Sequence, residues 1–290
     1  MTVQLSPSYP LSLDFTLGCG QAFRWNKHGE WWYGVVREEV FKIRQIDNKL
    51  EFENADADFI KKYFGLHDDL PEIFSQITKD KHIKAAVKNF NGLRILRQDP
   101  WECLISYICA TYKNIPAIRQ MLFNLSKRFG NKIVFDGIDF YTFPTPAKLR
   151  EVHRKELVEC GLGYRSRYIS ETANMIREND YDFENLRKMS YKKAKKELFT
   201  FPGVGLKVAD CVLLFSLGKL EAFPVDIWIK RVILKYYASY LPCEFVMKIY
   251  SKNSLTNSEY ERLNSFGRKY FENYAGYAQE YLYHFERTRY

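Results

Sequence analysis

The segment F-T-F-P-G-V-G-L-K-V-A-D-C at residues 199–211 constrains the fold of this chain more than any other. The residues before it, S-Y-K-K-A-K-K-E-L-F-T, predict one helix, and the apolar run from Leu206 predicts another. Gly203 and Gly205 allow backbone conformations that other residues resist, and they place no side chain between the backbone and a ligand. The pattern predicts two helices joined by a tight glycine turn, with or without a ligand at the turn.

Lys207 stands in the first turn of the second predicted helix. The start of a helix carries partial positive charge, which disfavours an ammonium group there. The position therefore favours the neutral amine, a nucleophile that can form a Schiff base with a sugar carbon. The alternative is a lysine that neutralises a phosphate bound by the free N–H groups of the helix start.

Asp226 lies nineteen residues after Lys207, in the segment A-F-P-V-D-I-W-I-K-R-V at residues 222–232. It precedes an apolar-periodic helix, so it is predicted to cap that helix and needs no further role. A carboxylate near a neutral amine can also stabilise positive charge on a reacting sugar. Both roles are compatible, because a cap position holds the carboxylate rigidly.

Composition favours a globular protein with a polyanionic partner. Lys and Arg outnumber Asp and Glu by 44 to 35, and this excess of positive charge is typical of proteins that bind nucleic acid. No apolar run is long enough for a membrane span, and the first residues lack the pattern of a signal peptide. The six cysteines form no C-x-x-C pair, which disfavours a zinc site and suits a reducing cytoplasm.

The order of strand and helix patterns predicts an α+β protein. Four short segments rich in aromatic and β-branched residues predict an antiparallel meander, at 20–25, 30–36, 40–46 and 49–53. From Asp56 the pattern is helical, and no strand pattern returns after about residue 60. Helices are expected at 164–178, 190–199, 206–217, 226–240 and 257–288. We divide the chain into a β-rich domain at 1–95, with flanking helices, and a helical region at 96–290.

Several sequence blocks, in the same order, resemble one known family. The segment L-F-T-F-P-G-V-G-L-K-V-A-D-C, followed by F-P-V-D, is similar to the helix-hairpin-helix Gly-Pro-Asp DNA glycosylases. More narrowly, the chain resembles the eukaryotic-type 8-oxoguanine DNA glycosylase/AP lyases, in a prokaryote-sized form. The further blocks are D-F-T-L-G-C-G-Q-A-F-R-W, L-R-Q-D-P-W-E-C-L-I-S-Y-I-C, G-L-G-Y-R-S-R-Y and G-Y-A-Q-E-Y-L-Y. The resemblance implies a TATA-binding-protein-like antiparallel sheet domain packed on an all-helical core, with the helix-hairpin-helix at 190–217.

The resemblance also implies a reaction and a partner. Lys207 attacks the sugar C1′, expels the damaged base and forms the imine from which β-elimination nicks the strand. Asp226 stabilises the oxocarbenium charge and helps to orient Lys207. The implied substrate is double-stranded DNA that contains oxidised guanine, bound by a monomer that flips the lesion out of the duplex. No cofactor is needed for this chemistry.

The implied base pocket draws on residues from distant parts of the chain. The Gly20 carbonyl accepts the N7 hydrogen that only the oxidised guanine carries, Cys211 and Tyr283 sandwich the base, and Gln279 contacts its Watson–Crick edge. Two lining residues complete it, Phe215 and Pro224. Each position also has a purely structural interpretation: Cys211 can be a core residue, Gln279 and Tyr283 share one helix face, and Gly20 can be a strand-start glycine.

Further residues are implied in contacts with the DNA. Tyr164 and Arg165 match the wedge and the orphan-cytosine contact, although they can equally be a solvated helix start. Asn114 is what remains of a family Asn triplet, and Gly203 and Gly205 approach the DNA backbone. Three carbonyls of the hairpin are implied to hold a monovalent or divalent cation that bridges to a DNA phosphate, those of Phe199, Phe201 and Val204.

The chain departs from the family pattern near Asn114. Tyr112 takes the place of the first Asn of the triplet, and Ala117 takes the place of an arginine that reads the orphan cytosine, so we expect weak dependence on the opposite base. Trp228 stands where a histidine is often found, and we have no account of that difference.

The iron–sulfur branch of the superfamily is disfavoured because only Cys243 follows Cys211. The alkylation-repair branch lacks the lysine, and a non-catalytic DNA-binding module remains an alternative.

Overall fold

The structure is a computed structural model that describes residues 1–6, 10–178 and 181–289. Its amino-terminal part contains a five-stranded antiparallel sheet with the strand order β1-β5-β4-β3-β2. The strands are β1 (Thr2–Gln4), β2 (Trp25–His28), β3 (Trp31–Val36), β4 (Glu39–Ile46) and β5 (Lys49–Glu53). The predicted meander is confirmed, and the three-residue β1 was too short to show a strand pattern.

The first predicted strand needs a correction. Residues 20–24 are not a strand, and β2 begins only at Trp25. Gly20 has φ +103°, which ends any extended run there. The buried side chain of Gln21 then fixes this segment: its Nε2 donates to the Arg94 carbonyl at 2.8 Å, and its Oε1 accepts from the Leu96 backbone N–H at 2.8 Å.

Sixteen α-helices occur in the described residues. They are α1 (Leu13–Gly18), α2 (Ala57–Tyr63), α3 (Leu70–Ile77), α4 (Lys81–Asn89), α5 (Pro100–Cys109), α6 (Ile115–Phe129), α7 (Pro146–Arg150), α8 (Arg154–Leu157), α9 (Arg165–Glu178), α10 (Phe183–Lys188), α11 (Tyr191–Leu198), α12 (Leu206–Phe215), α13 (Ile227–Tyr236), α14 (Cys243–Tyr250), α15 (Asn257–Phe271) and α16 (Ala275–Arg287). Across residues 1–6, 10–178 and 181–289, none of the helices is both long and apolar enough to cross a membrane.

The last predicted helix, 257–288, is two helices in the structure. Glu272 has φ +56°, a conformation that side-chain-bearing residues rarely adopt and that an α-helix cannot contain. A short 3-10 turn at Glu272–Tyr274 then leads into α16. This break lets α16 pack against α4 and α13 instead of continuing along the axis of α15.

The sheet is covered on both faces. One face packs on α2 through a buried cluster that includes Trp25, Phe52 and Ile60. The other face meets a two-stranded hairpin, β6 (Lys132–Phe135) and β7 (Ile138–Tyr141), where Phe140 stacks on Tyr33 with ring centroids 5.8 Å apart. The α+β fold class is confirmed, and this hairpin is an addition to the helical region that we had not predicted.

The turn of that hairpin carries a recognisable signal. Asp136 and Gly137 both have positive φ, at +51° and +74°. An Asp-Gly pair between alternating apolar residues is a strong local signal for a two-residue hairpin, because both central residues must adopt positive φ. The segment K-I-V-F-D-G-I-D-F-Y therefore encodes the hairpin locally.

A buried carboxylate joins the helical hairpin to the carboxy-terminal helices. Asp210 of α12 is fully buried and accepts four hydrogen bonds. Its donors are the Tyr191 hydroxyl at 2.5 Å and Lys195 Nζ at 3.1 Å from α11, and the Tyr260 hydroxyl at 2.6 Å and Asn264 Nδ2 at 3.0 Å from α15. These contacts fix the position and rotation of α12, which begins one residue before Lys207.

We predict that Asp210→Ala destabilises the protein by about 3–5 kcal/mol, because it leaves Lys195 and three further donors buried without their acceptor. Thermal or denaturant unfolding measures this loss. Glu261→Ala is the matched control, since it removes a carboxylate that lies 3.3 Å from the same lysine and has 46% of its side-chain surface exposed. It should cost less than about 1 kcal/mol. Equal losses in the two variants would contradict the role of Asp210.

Candidate active site

A cavity of about 1100 Å³ opens between the glycine hairpin, the start of α13 and the face of α16. Most of the residues predicted for the site line it: Gly20, Asn114, Tyr164, Gly203, Val204, Gly205, Lys207, Cys211, Phe215, Pro224, Asp226, Gln279 and Tyr283. Three predicted residues do not, namely Arg165, Phe199 and Phe201. Residues spread from position 20 to position 283 thus meet around one space.

Lys207 is the second residue of α12, after the cap residue Gly205. It is half-buried and faces the cavity. In the described part of the chain, no carboxylate lies within ion-pair distance of its Nζ. The amine is therefore held at a helix start, beside the pocket, without a salt bridge that would have to break before it reacted.

Asp226 lies at the same cavity and caps α13. Its Oδ1 accepts from the Ile229 backbone N–H at 2.8 Å, as the sequence predicted. Burial raises the pKa of the Asp226 carboxyl, and the charge of Lys207 together with the N–H groups of the helix start acts in the opposite direction. The side chain is thus fixed by the helix cap and coupled electrostatically to the lysine.

The walls of the cavity come from α12 and α16. Cys211, one turn after Lys207, is buried, and burial raises the pKa of its thiol, so it is an uncharged, polarisable surface. Tyr283 is half-buried, with the guanidinium of Arg287 5.3 Å from its ring centroid. Phe215 stacks on Tyr107, with centroids 5.6 Å apart and planes 13° from parallel. Tyr107 is a pocket residue that we had not predicted.

The backbone at Gly20, which lines the cavity, has a conformation and neighbours that favour glycine. A Cβ added at Gly20 would lie 2.8 Å from Ile115 Cδ1, and the backbone already has φ +103°. The positive φ makes any side chain at this position strained, and Ile115 would also have to shift. The neighbouring Gln21 carbonyl accepts from Gln98 Nε2 at 2.8 Å and from the Tyr107 hydroxyl at 3.0 Å, which fixes the backbone immediately after the glycine.

Two adjacent polar residues of α16 reach the cavity from the protein interior. Gln279 and Glu280 are buried, and each has an Oε1 atom with no hydrogen-bond partner. Burial raises the pKa of Glu280 to about 7, with opposing contributions from the Cys19 thiol and Arg287. Glu280 was missed at the sequence level, although a glutamate inside Y-A-Q-E-Y-L-Y is a visible anomaly on a buried helix.

Arg165, which is predicted to contact the orphan cytosine, is buried in the structure, with 3% of its surface exposed. It donates to the Thr111 carbonyl, and its guanidinium lies 4.4 Å from the ring centroid of Tyr164. In this structure Arg165 supports the loop that leads to Asn114, and a contact with DNA would require this arrangement to open.

The other residues implied in DNA contacts are exposed. Tyr164 has 52% of its surface exposed, and Asn114 is exposed while its Oδ1 caps α6 by accepting from the Ala117 N–H at 3.0 Å. Gly203 has φ +79°, and a Cβ there would lie 2.6 Å from the Tyr168 ring. The glycine is thus required by the packing of the hairpin on α9, whether or not a ligand binds.

The hairpin carbonyls remain a predicted cation site. The Phe201 carbonyl accepts from the Val204 N–H at 3.1 Å, which closes the turn and leaves the oxygen a second lone pair. Phe199 is exposed at the end of α11. Within the described residues, no group of three or more His, Cys, Asp or Glu side chains could hold a metal ion.

Comparison with known proteins places the chain in a family. Residues 3–104 match the family model described as 8-oxoguanine DNA glycosylase, N-terminal domain, and residues 105–240 match the HhH-GPD superfamily base excision DNA repair protein. The N-glycosylase/DNA lyase OGG1 of Arabidopsis thaliana is 32% identical, over 94% of this chain and 76% of the relative. The chain belongs to the 8-oxoguanine DNA glycosylase family.

Two further proteins show how closely this glycosylase follows the family. The N-glycosylase/DNA lyase of Saccharomyces cerevisiae is 31% identical, over 94% of this chain and 82% of the relative. The crystal structure of the Clostridium acetobutylicum 8-oxoguanine glycosylase/lyase in its apo-form superposes with a TM-score of 0.84 at 32% identity, covering 94% of this chain and 92% of the other. The fold around the cavity is therefore the family fold.

We predict that Glu280→Gln changes how the stability of this glycosylase depends on pH. Because the folded-state pKa of Glu280 is raised to about 7, the folded state keeps a proton that the unfolded state loses near pH 4.5. The wild type therefore loses stability from Glu280 as the pH rises from about 4.5 to 7, by up to about 3 kcal/mol. Over that pH range, the free energy of unfolding of the variant should rise relative to that of the wild type. Parallel stability profiles would contradict this pKa.

Proposed function

We propose that this glycosylase removes 8-oxoguanine from double-stranded DNA and then nicks the strand at the resulting abasic site, with Lys207 as nucleophile. Membership of the family supports both activities, since its curated relatives are N-glycosylase/DNA lyases. The observation that carries the residue assignment is the meeting of Lys207 and Asp226 at one cavity, where the charge of the lysine acts on the carboxyl.

The cavity suits a base that has left the duplex. A glycosylase reaches the bond between base and sugar only after the nucleotide is flipped out. Cys211 and Tyr283 supply surfaces for the two faces of a planar base, and Gln279 supplies an amide for its Watson–Crick edge. The rigid backbone at Gly20 supplies a carbonyl for the N7 hydrogen, which unmodified guanine lacks.

The reaction follows from the positions of the two catalytic groups. The Lys207 amine attacks C1′, the bond from C1′ to the base nitrogen breaks, and its electron pair leaves with the base, which takes up a proton. One amine proton then passes to the ring oxygen O4′ as the C1′–O4′ bond breaks, and the nitrogen lone pair forms the protonated C1′ Schiff base. Loss of a C2′ proton and departure of the 3′ phosphate complete β-elimination. The Asp226 carboxylate stabilises the positive charge that develops at C1′.

The hairpin binds the DNA backbone in this proposal. Gly203, Gly205 and the start of α12 offer backbone N–H groups to a phosphate, and a cation held by the carbonyls of Phe199, Phe201 and Val204 adds a second bridge. The net charge of +9 supports binding to a polyanion. We further propose that the enzyme acts as a monomer on cytoplasmic DNA. All six cysteines have free thiols, which suits a reducing cytoplasm.

Borohydride trapping tests the nucleophile. With DNA that contains 8-oxoguanine opposite cytosine, the wild type should give a covalent adduct after reduction of the Schiff base, and Lys207→Gln should give none because it lacks an amine. Lys84→Gln, which changes an exposed lysine of α4 away from the cavity, is the matched control and should trap as the wild type does. Trapping by Lys207→Gln at the wild-type level would overturn the assignment, and absence of trapping by the wild type would favour a DNA-binding module.

Weak dependence on the opposite base is a separate prediction. The exposed Tyr112 and the half-buried Ala117 replace two residues that contact the orphan cytosine in the resembling family, and Arg165 is turned inward. Single-turnover excision rates on duplexes with each of the four opposing bases should therefore fall within about tenfold of one another, less than two hydrogen bonds would produce. A cytosine preference well above that factor would contradict the prediction.

A further inference from the structure

The buried carboxyl of Glu280 lines the cavity and has no role in the reaction proposed above. Glu280 has 2% of its surface exposed, lines the cavity, and carries an Oε1 atom with no hydrogen-bond partner. A buried oxygen without a partner costs free energy, so buried polar atoms in native proteins are nearly always paired. An acceptor that is unpaired in the free protein and faces a ligand cavity is placed to bind that ligand.

Gln279 repeats the same feature one residue earlier. Its Oε1 is also buried without a partner, and its side chain also lines the cavity. Consecutive residues of an α-helix point about 100° apart, so the two acceptors approach the cavity from adjacent directions. The Watson–Crick edge of a guanine-type base offers two adjacent donors, the N1–H group and the exocyclic amine at C2. The two acceptor oxygens equal these two donors in number and complement them in kind.

We propose that the Glu280 carboxyl accepts a hydrogen bond from the exocyclic amine of the flipped base and thereby selects guanine-type lesions. This inference rests on the proposed function and adds a specificity residue to it. Gln279 then contacts the neighbouring N1–H group. Adenine-type lesions offer neither an N1–H donor nor an amine at C2, so they would leave both buried acceptors unpaired. Hypoxanthine-type lesions offer N1–H but no amine at C2, so they would leave the Glu280 acceptor unpaired.

The surroundings of Glu280 favour contact with a ligand over support of the nearby turn. The Cys19 thiol interacts with the carboxyl but already has an acceptor, the Thr16 carbonyl at 3.2 Å. The turn at Gly20 is held by Gln21, through hydrogen bonds to the backbone of residues 16, 94 and 96. Glu280 is therefore not needed to fix the Gly20 carbonyl.

The test compares two lesions that differ by one amine. Single-turnover excision is measured on duplexes that contain 8-oxoguanine or 8-oxohypoxanthine, and each rate is divided by the rate at which the same variant nicks an abasic site. The wild type should prefer 8-oxoguanine, and Glu280→Ala should reduce that preference about tenfold, the upper end of the range for one ordinary hydrogen bond. Glu280→Gln keeps an acceptor oxygen and should give an intermediate preference.

Cys19→Ala is the matched control, because it removes the neighbouring thiol and leaves the carboxyl. It should keep the wild-type preference. An unchanged preference in Glu280→Ala, or an equal drop in Cys19→Ala, would overturn the contact. If Glu280→Ala does not fold, Glu280→Gln decides: a preference equal to the wild type overturns the contact. A wild type that excises neither lesion would instead overturn the proposed function.

Discussion

The buried carboxylate of Asp210 is the constraint on which the site depends. It accepts hydrogen bonds from two helices that flank α12, and so it fixes how α12 is rotated. With Asp210 turned into the core, Lys207 and Cys211 face the cavity, since residues four apart share one side of a helix. Lys195 supplies the opposite charge that makes the burial of Asp210 tolerable. A contact outside the cavity thus orients Lys207, the proposed nucleophile, and Cys211 toward the cavity.

The cavity combines groups that are fixed by hydrogen bonds with buried oxygens that have no hydrogen-bond partner. Asp226 is held by the cap of α13, and Gly20 is held by the network around Gln21, so neither needs to move when a base enters. Gln279 and Glu280, in contrast, present buried oxygens that have no partner in the free protein. In the function proposed above, the flipped base completes the hydrogen bonds that these unpaired acceptors lack.

The sequence predicted most strongly what is encoded locally. The helix, glycine turn and helix around Lys207, and the cap at Asp226, follow from backbone rules that act within a few residues. The β6–β7 hairpin was equally local, through its Asp-Gly turn, and was overlooked. The break at Glu272 could not be predicted in this way, because it depends on how α16 packs against distant helices.

Side-chain direction was the harder property. Arg165 stands at a motif position for which the family resemblance implies a contact with DNA. In the structure it is the first residue of α9, and its buried side chain donates a hydrogen bond to the Thr111 carbonyl. Glu280 was overlooked because the sequence does not show that its helix borders a cavity, and only the cavity suggests a role for the carboxyl. The cavity joins parts of the chain that are up to 267 residues apart, from Gly20 to Arg287, and no local pattern contains that information.

The central proposal is that one particular amine of the cavity is the nucleophile. Three lysines line it: Lys113 is exposed, Lys230 is held by the carbonyls of Tyr250 and Lys252, and Lys207 is at the start of α12. Peptide mapping by mass spectrometry of the borohydride-reduced complex with 8-oxoguanine DNA locates the sugar adduct directly. The account predicts the adduct on Lys207, and an adduct on Lys113 or Lys230 would contradict it.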